Sequence, residues 1–399
     1  MNRQFKWLLY LICGLADFSA FIVIFAVSRG LAESHAESWY LGVVGAGLSF
    51  SSGMGSILGG WLSHRFDGRV VFLTGAILII SSTSICVIGE PTQVEFLPGY
   101  WLLGIGLGFL YPPLMGWLNQ GVDAHANHQG VSRTLILFCI AWNLGMMSGQ
   151  LVAGSLFAWG THWTYATALP VAILNFLLAV AAARQVIPLE VPPVEKTAEA
   201  HEAEELAVAF KRLSWIANLA GMFGGSMVVH LLPDLAVAIG VPAGNHGKLL
   251  ASWRAVIIVT YLVMHQFKFW HYRLSTSLVS QALAAIGLVM ISQAESATML
   301  LWGLTLLGQL VGYNYFSGLF YSTAGSSHER RALAAGIHES TLAIGMAIGT
   351  IAGGVLGSVY NLRVPYVLAA LVLVLMMAVQ SIAWVRWVRP RKPHNFTKV

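Results

Sequence analysis

Twelve apolar stretches of about 20 residues or more succeed one another along this 399-residue chain, and about 20 residues is what a helix needs to cross roughly 30 Å of hydrocarbon. They run over approximately residues 5–28, 39–62, 70–89, 98–119, 134–158 and 165–185, then 213–239, 247–266, 275–293, 298–323, 333–358 and 364–388. A soluble surface cannot be built from what remains. Charged residues are 10% of the chain where soluble proteins carry about 25%, and apolar types reach 57% before 41 glycines are added. The pattern predicts an all-α polytopic membrane protein with twelve transmembrane helices. Cys13, Cys86 and Cys139 all fall inside apolar runs, so they read as small buried hydrophobes and exclude a disulfide scaffold.

The one long polar segment, Val186 to Arg212, holds Pro188, Pro192 and Pro193 and the acidic run Glu202, Glu204, Glu205. It divides the chain into an N-terminal six-helix bundle over 1–185, a cytoplasmic linker over 186–212, a C-terminal bundle over 213–388 and a tail over 389–399. The halves also repeat. Gly145, Gly149 and Gly154 recur as Gly345, Gly349 and Gly354, and Gly108 recurs as Gly308, all at one offset. Any one such cluster serves ordinary helix packing, but matching clusters point to two pseudo-symmetric bundles, the architecture that rocks about a central site.

Basic residues set the expected orientation. With both termini inside, only Arg29, Lys248, Arg254 and Arg363 of the 22 lysines and arginines fall outside the cytoplasmic segments. The excess of 22 basic over 17 acidic residues is thereby explained without nucleic acid. Arg3 and Lys6 precede an apolar run in the manner of a signal peptide, yet the run is too long and contains Asp17, so it reads as the first span.

After the second stretch comes Gly60, Trp61, Leu62, Ser63, His64, Arg65, Phe66, Asp67, Gly68, Arg69, which resembles the loop signature of the major facilitator superfamily. The resemblance extends over essentially the whole chain. It implies a tight cytoplasmic turn whose charges hold the inward helix ends together in one state, so Gly60, His64, Arg65, Asp67 and Arg69 become gating candidates. His64 stands where the signature has aspartate. The glycine run Gly145, Gly149, Ala153, Gly154 is similar to the family's antiporter motif, with Gln150 in place of its proline, and Tyr100 stands where the fourth helix often carries arginine. No subfamily follows from these motifs. The stretch Gly244 to Leu249 lacks the first glycine and the hydroxyl residue of a phosphate loop, so neither ATP nor another cofactor is expected.

Charges inside a span are costly and mark candidate sites. Asp17 lies about 12 residues into the first helix, roughly 18 Å at 1.5 Å per residue, near the midplane. The resemblance implies that the first, fourth, seventh and tenth helices line a cavity, which Asp17 would face as a proton carrier and substrate contact. His338 and Glu339 sit about six residues into the eleventh helix, about 100° apart around it. Only one is expected to face the cavity, with Glu339 preferred as the second protonatable group. Glu339 and His338 are also candidate substrate contacts, as are Gln309, Tyr313 and Asn314 on the tenth helix, Asn143 on the fifth and His230 on the seventh, with Asn119 and Gln150 behind them. His230 and Asp234 share a face of the seventh helix; their spacing can bind a metal, as can His338 with Glu339, but a transition-metal site needs three or four ligands. Pro233 frees the carbonyl of Val229, which predicts a kink there. Asp234 and Arg254 lie at matching depths in adjacent helices, so an ion pair that closes the outer side is expected, or else an Arg254 that meets an anionic substrate group.

These features lead to an expected secondary transporter of a small organic solute, proton-coupled, working by alternating access as a monomer in the cytoplasmic membrane. More acids than bases in the cavity lean towards neutral or cationic cargo. The alternatives are a transition-metal or lipid transporter of the same fold, a polytopic membrane enzyme and a transporter-like receptor.

Overall fold

The computed structural model describes residues 3–118, 128–186, 198–326 and 331–389. Lipid offers the backbone no hydrogen-bond partners, so a spanning segment must satisfy its own, and helices do so. The first half comprises α1 (Arg3–Glu33), α2 (Ser38–Arg65), α3 (Gly68–Ile88), α4 (Phe96–Leu118), α5 (His128–Phe157) and α6 (Thr161–Ala183). The second comprises α7 (Ala198–His230), α8 (Leu232–Ala238), α9 (Ala243–Gln266), α10 (Leu274–Ser292), α11 (Ala297–Ala324), α12 (Arg331–Val359) and α13 (Val364–Trp387).

Ten of these helices are long and apolar enough to cross a membrane. The pair α7 and α8 forms an eleventh span, bent by 46°. Pro233 sits in the first turn of α8 and gives Val229 no N–H, so the expected kink becomes a break. The twelfth span is α11, whose 28 residues are long enough but diluted by Gln309, Tyr313 and Asn314.

Within the polar segment, α7 begins at Ala198 and continues unbroken to His230. Pro188, Pro192 and Pro193, Asn119 and residues 390–399 of the tail lie outside the described residues.

Burial sorts the helices into tiers. The most apolar window of α1 is 72% buried, against 33% in α6, 39% in α10 and 28% in α13. So α1 is central, while the other three face lipid with residues such as Leu371 and Leu375.

The repeated glycines explain how the halves meet. Gly145 and Gly149 of α5 lie against Gly14 and Phe18 of α1, and Gly345 and Gly349 of α12 lie against Leu219 and Phe223 of α7. Further along, Gly154 meets Gly247 of α9 and Gly354 meets Gly42 of α2. A Cβ on either Gly154 or Gly354 would stand 2.8 Å from the partner glycine's Cα. The two halves thus touch through two equivalent backbone-to-backbone seams, α5 on α9 and α2 on α12, which no larger residue could fit. Both seams lie on the side away from the linker. Replacing Gly154 and Gly354 together by tryptophan should force that side apart: a cysteine placed at Ile24 should react several-fold faster with an impermeant maleimide applied from the Arg29 side than it does with both glycines present.

Candidate functional site

Between the halves lies a cleft of about 1270 Å³, part of it open, walled by α1, α2, α4, α5, α7, α9, α11 and α12. The expected four cavity helices are therefore only half of the wall. The cleft reaches Met115 of α4 and Ala335 of α12, each within about a turn of its helix end on the linker side. In the other direction it stops at Ile24 and His230, about two turns short of the ends of α1 and α8. Beyond that floor the halves are sealed. Arg29 of α1 donates to the carbonyl of Val241 at 2.9 Å and to Glu33 at 2.8 Å, Phe25 packs on His246 of α9 with ring centroids 5.2 Å apart, and Ser358 of α12 accepts the backbone N–H of Trp39 at 2.8 Å.

Asp17, Arg254 and Glu339 converge on the cleft from α1, α9 and α12. Each carboxyl is held by a tyrosine of its own half. Tyr111 of α4 donates its hydroxyl to Asp17 Oδ2, and Tyr315 of α11 donates to Glu339 Oε1 at 2.9 Å. Trp142 of α5 stacks on Tyr315 at 4.6 Å, so the wall between the halves is aromatic at this level. Arg254 is 5% exposed. Its guanidinium carbon lies 5.1 Å from the ring centroid of Phe21 and 4.4 Å from that of Trp253, and among the described residues its Nε has no hydrogen-bond partner.

Several expected cavity contacts point elsewhere. Gln309 exchanges hydrogen bonds with Ser280 of α10, donating to its carbonyl at 2.8 Å and accepting from its hydroxyl at 2.7 Å. Tyr313 meets the Thr276 hydroxyl at 2.9 Å, and Asn314 donates to the Ala217 carbonyl of α7 at 2.8 Å. His338 turns to Asn218 of α7 at 3.3 Å, leaving Glu339 in the cleft. Asn143 donates to the Tyr261 hydroxyl at 3.2 Å, inside the α5–α9 seam. The cause is common to all: a polar group surrounded by hydrocarbon gains from any bond a neighbouring helix offers. The bonding is partial, since Asn143 Oδ1, Asn314 Oδ1 and His338 Nε2 have no partner among the described residues. His230 stays at the cleft's floor, its Nδ1 likewise without a partner among the described residues.

The gating candidates are also redistributed. Asp234 and Arg254 do not pair here. The bend carries Asp234 to Ser38 of α2, whose hydroxyl donates to it at 2.5 Å, while Arg254 faces the cleft. In the signature loop, Asp67 caps α3 by accepting the Arg69 N–H at 2.9 Å and approaches Arg69 Nε at 3.3 Å. Arg65 lies over Trp61 at 5.3 Å, and Gly60 passes close to Pro112 of α4. Among the described residues no three His, Cys, Asp or Glu side chains group as metal ligands. Tyr111, Trp142 and Arg29 were not singled out from the sequence. Tyr111 had a usable signal, a hydroxyl in a fourth stretch already expected at the cavity.

A cleft between two pseudo-symmetric helical bundles, reaching one face and carrying ionisable groups at mid-depth, defines a multi-pass membrane transporter and not an enzyme. The chain belongs to the major facilitator superfamily, whose family model matches residues 7–330. No curated protein sequence matches it. Among solved structures it is similar to the human organic anion transporter MFSD10 (TETRAN), with TM-score 0.69 and 16% identity over 95% of this chain and 100% of that one. It is similar to a bacterial homologue of the human lysosomal transporter Spinster in an inward-facing and occupied conformation, at TM-score 0.69 and 13% identity over 98% of both chains. A variant of the nucleoside transporter NupG gives TM-score 0.68 and 12% identity over 95% of this chain and 100% of that one.

The outward-turned amides of α11 have a measurable consequence. Gln309→Leu should cost stability of about 1 kcal/mol, the scale of a hydrogen bond between membrane helices, seen as a lowered melting temperature in detergent. The KM for any transported solute should stay within about two-fold, because a bond of that size is lost equally from the free and loaded protein.

Proposed function

We propose that this transporter moves a small organic solute across the cytoplasmic membrane by alternating access and couples that movement to protons through Asp17 and Glu339. The observation that carries the reading is the pair of carboxyls, one from each half, Asp17 buried and Glu339 half-buried, each held by its own tyrosine at the level of the cleft. A tyrosine hydroxyl can serve the carboxylate as donor and the acid as acceptor, so each carboxyl keeps its partner in either protonation state. Proton uptake and release then need no rearrangement of the wall. The mainly apolar, aromatic lining suits an organic solute better than a metal ion, which needs several convergent ligands. The solved transporters of this fold, named for organic anions and nucleosides, lend the fold alone.

In this reading the moving bodies are 1–185 and 213–388, working as a monomer, with 186–212, the tail over 389–399 and both termini cytoplasmic. The cleft, which reaches the linker side, is then the inward-facing state. The signature loop from Gly60 through His64 and Arg65 to Asp67 and Arg69 acts as the inner gate when the halves rock back. Asp234 releases Ser38 as the outer side opens, which is when it can approach Arg254.

If Asp17 carries the proton, Asp17→Asn should abolish pH-driven uphill accumulation in proteoliposomes while solute exchange persists; unchanged accumulation would remove Asp17 from coupling. Orientation is checked by single cysteines in whole cells. One at Phe66 should resist an impermeant reagent and one at Trp159 should react, and the opposite pattern would invert the topology.

A further inference from the structure

We propose that the cargo of the central cleft is an amphipathic organic anion, a carboxylate or similar acid on an apolar or aromatic body, whose acidic group pairs with Arg254. The inference rests on the transport reading above and adds the chemical class of the solute.

Hydrogen-bond supply and demand around the cleft carries it. Both acids already have a donor, Tyr111 for Asp17 and Tyr315 for Glu339. Arg254 has five N–H donors and a permanent charge, yet its Nε is unpartnered among the described residues. Its immediate neighbours are the rings of Phe21 and Trp253, which stabilise a cation through their faces but offer no carboxylate or carbonyl. At Nε this buried guanidinium has no acceptor among the described residues, and a carboxylate fits a guanidinium edge in bidentate fashion.

The groups facing Arg254 do not fill that place. Asp17 of α1 lines the same cleft without forming an ion pair with it, and the Tyr261 hydroxyl on its own helix accepts from Asn143 of α5. Glu339 of α12 is held by Tyr315, and His230 of α7 sits at the floor. The remaining wall suits the rest of such a molecule. Phe138, Trp142, Met146, Met222 and Met346 line it, and methionine adapts to varied apolar shapes. Counting acids against bases in the sequence favours neutral or cationic cargo; counting which of them still lack a partner reverses that preference.

The test uses the purified full-length chain in detergent at pH 7, titrated with phenylbutyrate, its primary amide and phenylbutylamine, with binding read by thermal shift and tryptophan fluorescence. Phenylbutyrate should give a saturable response, the amide should bind roughly ten-fold or more weakly because the charge-assisted bonds are lost, and the amine should not compete. Arg254→Lys should keep the preference for the acid at reduced affinity, and Arg254→Gln should lose it. Ligand-free melting of each variant separates loss of binding from loss of folding, and Arg254→Lys keeps the comparison open should Arg254→Gln collapse. The inference is overturned by amide or amine binding as tightly as the acid, by an intact preference in Arg254→Gln, or by no saturable response to phenylbutyrate. Saturable, acid-selective binding without flux in proteoliposomes would leave the anion site standing and defeat the transport reading. Proton-driven flux of the amine without binding of the acid would do the reverse.

Discussion

Hydrocarbon offers polar groups no partner, and this constraint decides where several of the polar side chains within the spans go. In water a glutamine or asparagine that misses a protein partner loses little, whereas between membrane helices it must find one or pay the desolvation cost. The result is a set of interhelical bonds that consumes Gln309, Tyr313, Asn314, His338 and Asn143. A further buried chain runs from Gln281 to Gln380 and on to the Leu213 carbonyl. What these bonds leave over defines the cleft: Asp17 and Glu339 held by tyrosines, His230 at the floor, and Arg254 among rings. Polarity within a span is thus a weak sign of a ligand contact, and an unmet hydrogen-bond demand beside a cavity is a strong one.

The same absence of a hydrophobic drive in lipid makes close backbone packing the main means of joining helices. In each half one helix, α5 or α12, performs two tasks with one glycine series. Its first glycines dock it on α1 or α7 of its own half, and its last glycine, Gly154 or Gly354, docks it across the interface. The partners repeat as faithfully as the glycines, since Gly14, Phe18 and Gly42 correspond to Leu219, Phe223 and Gly247 at one common spacing. Pseudo-symmetry therefore resides in the contacts and not only in the helix count. Such seams are smooth, and a smooth seam lets rigid bodies separate without unpicking interdigitated side chains.

The fold was legible in the sequence because span length and glycine offset each report on a property that lipid enforces helix by helix. The bent seventh span was legible too, since Pro233 can act only on the carbonyl four residues before it. The extended start of α7 was obscured by its polar, acidic composition, which reads equally well as a solvated linker. The site was legible in part. Depth along a helix is a sum of residues, so Asp17 and Glu339 could be placed at cavity level. Azimuth depends on where neighbouring helices stand, which no single-helix pattern contains. That is why the amides of α11 were assigned inward and Tyr111 and Trp142 were not noticed. Matching depths also suggested a pair between Asp234 and Arg254, but the 46° bend rotates Asp234 towards α2.

The seal away from the linker shows how such a structure can stay bistable. Besides its two glycine seams, it uses few polar links between the halves: Arg29 to the Val241 carbonyl, Ser38 to Asp234, and the Trp39 N–H to Ser358. At roughly 0.6 kcal/mol for an average hydrogen bond between membrane helices, and about 1.7 at most, three links amount to a few kcal/mol. A ligand can shift a two-state equilibrium only by its differential affinity for the two states, and about 5.5 kcal/mol carries it from 1:99 to 99:1. A seal of this strength is within reach of one solute and one proton. None of these three links pairs two opposite charges, so parting them avoids the penalty that a dedicated ion pair would incur each time it was separated in a low dielectric. The strongest electrostatics are thereby reserved for the cleft, where Asp17, Arg254 and Glu339 can respond to what is bound.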